Sequence, residues 1–377
     1  MLILALVRQL MRLYATLSAL LLCLLQLAAC GDPEVIRVGF IGGLEGRASD
    51  IGIASRNAVQ LAVDEKNEAG GINGPRIQLL VRDDHGTDEG GAEAARSLIA
   101  EGVDAIIGPN LSVVAGGMVP VINEAGVVAI TPTVSSLAFV GKNDHFYRIG
   151  SSTRQYAEAY AQYCIDAGIR KVSTALDGSN ALFSSSWNDE FKKAFTELGG
   201  TVVVSLPFDN SVGGAFSSTA QILLASNPEA LIFIANGVDS AQLTQQVRKR
   251  DTGIPLLAAE WAASESLLTL GGAAIEGLLL LQTYDRYDET ARYVVFRDAY
   301  RSRFRSDPGF SSIAAYDGAM ILFSALKNKK EDQTVKEAMD ALGSVQGLQQ
   351  KVTFDSTGDS ARQLVFVTVQ KGKFIRK

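Results

Sequence analysis

Short apolar stretches rich in β-branched residues alternate along this chain with longer segments in which apolar residues recur every three or four positions. The first repeat predicts a strand over 36–41, a helix over 49–69 and a second strand over 77–81. Between the helix and the second strand, the glycines of segment 70–75 suit a helix C-cap and a tight return. A strand, a helix and a strand in this order are typical of a parallel βαβ unit.

The alternation continues in two similar series. The first adds helices over 88–101 and 112–125 and strands over 105–107 and 127–130. The second opens near Gly150 and alternates helix and strand over 153–167, 172–176, 184–198, 201–206, 215–225, 231–234, 240–250 and 254–257. Because the two series are alike, we predict an α/β protein with two lobes, each a doubly wound parallel sheet with helices on both faces.

Two longer helices over 289–304 and 311–327, and strands over 352–354 and 364–369, follow the second series. These late elements are too few for a third domain, so we expect them to complete the two lobes.

The predicted division makes residues 35–150 and 284–350 an N-terminal lobe and residues 151–283 and 351–377 a C-terminal lobe. The chain then crosses between the lobes near Gly150, Thr283 and Gln350. Such a multi-strand connection can act as a hinge.

The N-terminus has the layout of a secretory signal. Arg8 and Arg12 precede a long apolar run that ends in Leu-Ala-Ala-Cys at 27–30. This segment resembles a bacterial lipoprotein signal, in which the cysteine receives lipid and becomes the first mature residue. We therefore predict a signal peptide over 1–29 and lipidation at Cys30. The alternative, a transmembrane helix, would not explain the small residues before the cysteine. Met11 is an alternative translation start.

Composition excludes some classes of protein. The formal net charge of the 377 residues is −6, and the basic residues are dispersed, so the chain lacks the electrostatic footprint of a nucleic-acid-binding protein. Of the three cysteines, Cys23 and Cys30 belong to the signal region. Cys164 has no partner and lies in an apolar helix pattern, so we expect a buried thiol and no disulfide.

A search for catalytic motifs gives no nucleophile-and-base pair. The sequence has two histidines, and no Gly-x-Ser-x-Gly, His-Glu-x-x-His or phosphate-binding glycine motif. His85 follows Asp83-Asp84, but neighbouring positions at a strand end point in different directions, so a solvated loop explains them better than a metal site. The glycine-rich loop 42–46 lacks dinucleotide spacing and carries Glu45 where a pyrophosphate would bind. We expect that the protein is not an enzyme and that it binds no metal or cofactor.

Polar residues follow several predicted strands, at the edge where open parallel sheets bind ligands. Segments 108–112 and 131–136 offer backbone amides and short hydroxyls, which suit a carboxylate. On the other lobe, Glu260 follows the strand at 254–257. Amides and hydroxyls facing a carboxylate would receive a zwitterion.

These residues also match a known family in order along the chain. The matching segments are 36–42, Ala-Val-Asp-Glu-Lys-Asn at 62–67, Gly-Gly-Ile-Asn-Gly at 70–74, Arg-Asp-Asp at 82–84, Ile-Ile-Gly-Pro at 106–109 and Thr-Pro at 131–132. From about Ile36 onwards the chain resembles an exported solute-binding protein of an ABC transporter. The resemblance is to the type I periplasmic binding protein fold, and most closely to its leucine/isoleucine/valine-binding branch.

The resemblance implies roles for particular residues. It assigns the ligand carboxylate to Ser112, Thr133 and Ser135, and the ammonium to Glu260. Phe183 and Asn236 fall at or near positions where the family has aromatic contacts, and they complete the expected ligand-binding set. Ile51 replaces a frequent tyrosine, so the side-chain pocket departs from the family pattern.

The expected function is an extracytoplasmic substrate-binding lipoprotein. It would capture an amino acid or related zwitterion by hinge closure and deliver it to an ABC permease. Lipid on Cys30 would hold it in the periplasm or at the outer face of the cytoplasmic membrane. The alternative is a lipoprotein of the same fold that regulates an envelope partner. A transcriptional regulator would need a DNA-binding unit where the signal stands.

Overall fold

The structure is a computed structural model that describes residues 35–46 and 48–377, with the isolated positions Met11 and Tyr14. The lipidation site predicted at Cys30, and the signal peptide apart from those two positions, lie outside the described residues. Within the described part of the chain, no helix is both long enough and apolar enough to cross a membrane.

A five-stranded parallel sheet with the order β2-β1-β3-β4-β5 forms the centre of the first lobe. Its elements are β1 (Val35–Gly42), α1 (Ser49–Glu68), β2 (Arg76–Asp83), α2 (Asp88–Ala100), β3 (Ala105–Ile107), α3 (Ser112–Ala125), β4 (Val128–Thr131) and β5 (Phe146–Arg148). Strands β3, β4 and β5 are buried along their whole length because helices cover each side of the sheet.

A seven-stranded sheet with the order β14-β13-β10-β9-β8-β6-β7 forms the centre of the second lobe. The elements up to β10 are α4 (Thr153–Asp166), β6 (Lys171–Asp177), α5 (Ala181–Glu197), β7 (Thr201–Phe208), α6 (Ala215–Ala225), β8 (Ala230–Ile234), α7 (Gly237–Arg248), β9 (Leu256–Ala258), α8 (Glu265–Gly271) and β10 (Leu279–Gln282). Strands β6 to β10 pair in parallel.

The late elements are divided between the lobes. They are α9 (Ala291–Phe304), α10 (Phe310–Asn328), α11 (Val335–Asp340), β11 (Ser344–Gln346), β12 (Lys351–Thr353), β13 (Val365–Gln370) and β14 (Lys373–Arg376). Phe296 of α9 and Phe323 of α10 are buried in the core of the first lobe. Strands β13 and β14 extend the second sheet with antiparallel pairing.

Near the predicted third crossing, the chain passes from the first core to the second sheet. Strand β12 pairs with β11, and its Val352 is buried in the first core. The chain joins the second sheet only at Val365. The exact residues at which one lobe ends and the other begins stay a prediction.

Candidate ligand-binding site

A cavity lies between the two sheets, at the carboxyl ends of strands from both lobes. The space inside it, counted together with its open mouth, is roughly 740 Å³. Its wall is formed by Ile51, Asn110, Leu111, Ser112, Pro132, Thr133, Ser135, Ile149, Gly150, Ser151, Tyr156, Asn180, Phe183, Glu260, Trp261, Leu281, Gln282, Thr283, Phe310, Ile313, Ala314 and Arg362. The wall is mostly apolar, with polar groups from both lobes.

The first-lobe wall depends on a close approach of two loops. At Gly108, after β3, φ is +120°, and an added Cβ would lie 2.0 Å from the backbone oxygen of Ile41. Only glycine fits such a position. The turn leads to Asn110, whose side-chain nitrogen donates to Ser55 Oγ at 2.8 Å and to Thr133 Oγ1 at 3.2 Å. Asn110 Oδ1 is buried and has no partner among the described residues.

Three hydroxyl residues complete this wall. Thr133 Oγ1 donates to the backbone oxygen of Asn110 at 2.7 Å, so the segments after β3 and β4 hold each other in place. Ser112 is the first residue of α3 and, like Ser135, is buried in the cavity wall. The positive end of the α3 dipole adds to the preference for a negative group here.

Glu260 forms the opposite wall, in a single 3₁₀ turn that follows β9. Glu260 is buried, with only 9% of its surface exposed. Oε2 accepts a hydrogen bond from Trp187 Nε1 at 3.0 Å, whereas Oε1 has no partner within the described part of the chain. Burial raises the pKa of Glu260 to about 8, because the apolar surroundings disfavour the charged form.

Tyr160 fixes the position of this wall. Its hydroxyl donates to the backbone oxygen of Ala258 and accepts from the backbone N–H of Leu281 at 2.8 Å. The ring packs edge-on against Trp187, with the centroids 5.2 Å apart. One buried side chain therefore joins the ends of β9 and β10 and supports the partner of Glu260.

The sequence profile of the periplasmic binding protein family matches residues 35–373, which is most of the chain. The chain belongs to the periplasmic binding protein family. Membership implies a location outside the cytoplasm, and it confirms the expectation that the chain is not an enzyme.

A curated relative agrees with the branch predicted from sequence, and solved structures share the fold. The Leu/Ile/Val-binding protein BraC3 of Rhizobium johnstonii is 24% identical over 366 residues, covering 92% of this chain and 95% of that protein. The branched-chain amino acid transporter substrate-binding protein LivJ of Streptococcus pneumoniae, solved with isoleucine, matches with a TM-score of 0.83 at 20% identity. That match covers 91% of this chain and all of the other.

A second solved structure has a different kind of ligand. A solute-binding protein of an ABC transporter from R. palustris, in complex with benzoate, matches with a TM-score of 0.82 at 20% identity. It covers 91% of this chain and 95% of that chain. At these identities the solved structures establish the fold, and the predicted type I periplasmic binding protein fold is confirmed.

The structure brings together five of the six ligand-binding residues predicted from sequence in this family member. Lining the cavity are Ser112, Thr133, Ser135, Phe183 and Glu260. Phe183 contributes an apolar surface and meets Trp261 edge to face, with the centroids 5.5 Å apart.

Asn236 is absent from the cavity wall, contrary to expectation. Its Oδ1 accepts from the backbone N–H of Asp239 at 2.9 Å, which caps α7. Its Nδ2 donates to Asp177 Oδ2 at 3.1 Å and to Asp239 Oδ2 at 2.9 Å. With its amide used in this way and the residue only 2% exposed, Asn236 is a buried helix cap.

Several wall residues were not identified from the sequence. Trp261 follows β9, and Gln282 is the last residue of β10. The rule of polar residues after strands could therefore have indicated both. Arg362 gave no local signal. It lies in the third crossing, where Nη2 donates to Asp317 Oδ2 at 2.8 Å and Nε donates to the backbone oxygen of Ile149.

The remaining expectations concern metals and thiols. Within the described residues, no group of three or more His, Cys, Asp or Glu side chains could hold a metal ion. His85 lies on the surface with a largely exposed side chain. Cys164 is buried and unpaired, and burial raises the pKa of its thiol to about 12.

Proposed function

We propose that this protein captures an α-amino acid or a related zwitterion in the cavity between its lobes and delivers it to an ABC permease. The observation that supports this most is Oε1 of Glu260, which has no hydrogen-bond partner among the described residues and belongs to the same cavity wall as Ser112 and Ser135. An ammonium would supply the missing donor to Glu260. A carboxylate would accept from the opposite wall.

Charge-assisted hydrogen bonds account for the affinity in this proposal. A buried carboxylate without a donor costs free energy, and an ammonium placed against it removes that cost. Binding also shifts Glu260 towards its ionised form, because a neighbouring positive charge lowers a carboxyl pKa. The hydroxyls and the N-terminal turn of α3 form the complementary site.

Closure of the lobes is the proposed response to the ligand. Each lobe supplies part of the cavity wall, so the full set of ligand contacts forms only when the lobes are together. A ligand that contacts both lobes stabilises the closed form by its differential affinity. The three connections between the lobes would be the hinge.

The relatives support an amino acid or acid as ligand. One related structure is described with isoleucine and another with benzoate, and both compounds carry a carboxylate. A shared carboxylate agrees with the site at Ser112, Thr133 and Ser135. Glu260 is the feature of this cavity that favours an added ammonium.

The binding test is thermal unfolding of the exported protein, first unfolded and refolded to remove carried-over ligand. The panel contains α-amino acids, their amides, plain carboxylates and aromatic acids. A true ligand at a hundredfold excess over its Kd stabilises the native state by about 2.7 kcal/mol. We expect α-amino acids to raise Tm in the wild type and to lose most of that effect in Glu260→Gln.

Two results would contradict the proposal. Stabilisation by plain carboxylates alone would keep a binding role but remove Glu260 from it. No stabilisation by any compound would favour the alternative role, in which the protein regulates an envelope partner.

The lipid anchor is part of the proposal and has its own test. Cells that express the full chain are labelled with a radioactive fatty acid, and the protein is then isolated. We expect label on the wild type and none on Cys30→Ser. Equal labelling of both would exclude lipidation at Cys30.

A further inference from the structure

The cavity holds more buried donors than a simple amino acid can satisfy. Trp261 Nε1 and Gln282 Nε2 are both buried and have no hydrogen-bond partner within the described residues. Trp261 is 6% exposed and Gln282 is 2% exposed. Glu260 and the hydroxyl wall already account for the ammonium and carboxylate of a zwitterion, so these two N–H groups remain.

We propose that Trp261 and Gln282 donate hydrogen bonds to a neutral acceptor on the ligand side chain. The ligand is then an α-amino acid with a side-chain amide. This inference rests on the proposed function and specifies its ligand class. A carbonyl oxygen has two lone pairs and can accept from both donors. A purely aliphatic side chain would leave both donors buried without partners, which is costly.

The topology brings together the backbone segments that carry the two donors. Strands β9 and β10 are parallel neighbours, with Leu257 opposite Leu279. Continuing this register brings the start of the turn at Glu260 opposite Gln282, on strands about 4.8 Å apart. Both side chains line the same cavity. The hydroxyl of Tyr160 joins these two strand ends, so their spacing is fixed.

The tryptophan ring is also held in place. Phe183 meets it edge to face. The indole therefore offers its N–H from a fixed position, and a ligand group need not order it on binding. Such a donor discriminates strongly, because an analogue that cannot accept leaves it unpaired.

Charge favours an amide over a second carboxylate. Glu260 is ionised when an ammonium binds beside it, so the pair is neutral. Arg362 also lines the cavity, but its guanidinium is paired with Asp317, and both side chains are buried. A second ligand carboxylate would add an uncompensated buried charge near Glu260, whereas an amide adds none.

The test compares leucine, asparagine and aspartate, which have side chains of nearly the same shape. Glutamine is added because its amide extends one methylene further. Isothermal titration of the exported, refolded protein gives each Kd. We expect asparagine or glutamine to bind at least about tenfold more tightly than leucine, and more tightly than its own acid, as expected for one or two buried hydrogen bonds.

Two variants assign the preference to the donors. Trp261→Phe keeps an aromatic ring and removes the N–H, and Gln282→Leu keeps a side chain of similar bulk and removes the amide. Each should reduce the preference for the amide over leucine about tenfold. Gln245→Leu is the control, because its amide donates to Leu270 outside the cavity. The Tm of each unliganded variant checks folding.

The outcomes separate the two proposals. Leucine binding as tightly as both amides, or a preference that survives in both variants, would overturn the inference and leave the amino-acid site intact. Aspartate or glutamate binding more tightly than its amide would overturn the choice of a neutral acceptor. If no amino acid binds, both the inference and the proposed function fail.

Discussion

The backbone N–H of Val113 in the first lobe donates a 3.0 Å hydrogen bond to Asn180 Oδ1 in the second. A similar bond of 3.2 Å joins the N–H of Leu137 to Ser186 Oγ. Asn180 also lines the cavity. The same side chain therefore contributes to the binding site and to the contact that holds the lobes together.

Asn180→Ala should weaken ligand binding by destabilising the closed form. Loss of one hydrogen bond worth about 1 kcal/mol corresponds to about a fivefold rise in Kd. Titration calorimetry measures Kd, and small-angle scattering should show a larger radius of gyration for the unliganded variant. Ser179→Ala is the control, since its hydroxyl bonds to Asp177 in its own lobe. Equal binding by the two variants would show that the Val113 bond does not contribute to closure.

Affinity for an α-amino acid should fall as pH decreases below about 8. In the unliganded protein burial raises the pKa of Glu260 to about 8, so at lower pH the carboxyl must lose a proton before it can receive the ammonium. Between pH 8 and 6, Kd should rise by up to tenfold per pH unit, with proton release measurable by calorimetry in two buffers. Glu260→Gln should bind weakly with a flat profile. Glu276→Gln, at a surface turn, should behave as the wild type.

Glu260 should also affect stability of the unliganded protein. Its pKa in the folded state, about 8, exceeds the ordinary value of 4.5, so the folded protein binds the proton more tightly. The stabilising contribution is therefore complete below pH 4.5 and is lost as pH rises to 8. Relative to wild type, Glu260→Gln should gain a few kcal/mol between pH 5 and 8 in urea unfolding. Parallel pH curves for the two proteins would contradict this account.

The ion pair of Arg362 and Asp317 should contribute strongly to the free energy of unfolding. The side chains are only 6% and 1% exposed, so Arg362→Met strands a buried carboxyl and should cost about 3 to 5 kcal/mol in urea unfolding. Burial already raises the pKa of Asp317, so the stranded carboxyl takes up a proton and the loss should be greater at pH 8 than at pH 5.

The control for this pair is on the surface. Arg154 pairs with Glu190 at 2.7 Å, but the arginine is half exposed. Arg154→Met should cost less than about 1 kcal/mol. A similar loss in both variants would mean that burial does not distinguish the two pairs.

Gly108→Ala should destabilise the first-lobe wall strongly. The added Cβ would meet the Ile41 oxygen at 2.0 Å, and φ is +120°. We expect a loss of more than about 2 kcal/mol in unfolding free energy. Gly213→Ala is the matched control, because an added Cβ there meets nothing within 4 Å. A Tm for Gly108→Ala equal to that of the control would show that the loops can separate without cost.

Periodicity predicted the long elements because it is a local property. Helices α3 and α6 begin and end at the predicted residues. Strand β5 and helices α8 and α11 were missed, since segments of three, seven and six residues give only a weak periodic signal. They form because neighbouring elements supply the pairing and burial.

The rule of polar residues after strands selects candidate site residues that follow their own strand. Ser112 and Glu260 were found by this rule. The family resemblance also selected Asn236, because a matching position does not show whether a side chain faces the cavity or caps its own helix. Arg362 was missed because it reaches the cavity from a distant part of the sequence.

The interleaving of the two lobes has a consequence for the growing chain. The first core lacks Phe323 and Val352 until late in synthesis, and the second sheet lacks β13 and β14 until the last residues appear. A chain that emerges N-terminus first therefore cannot complete either core until it is almost wholly synthesised. Folding of both halves is thus delayed to nearly the same moment.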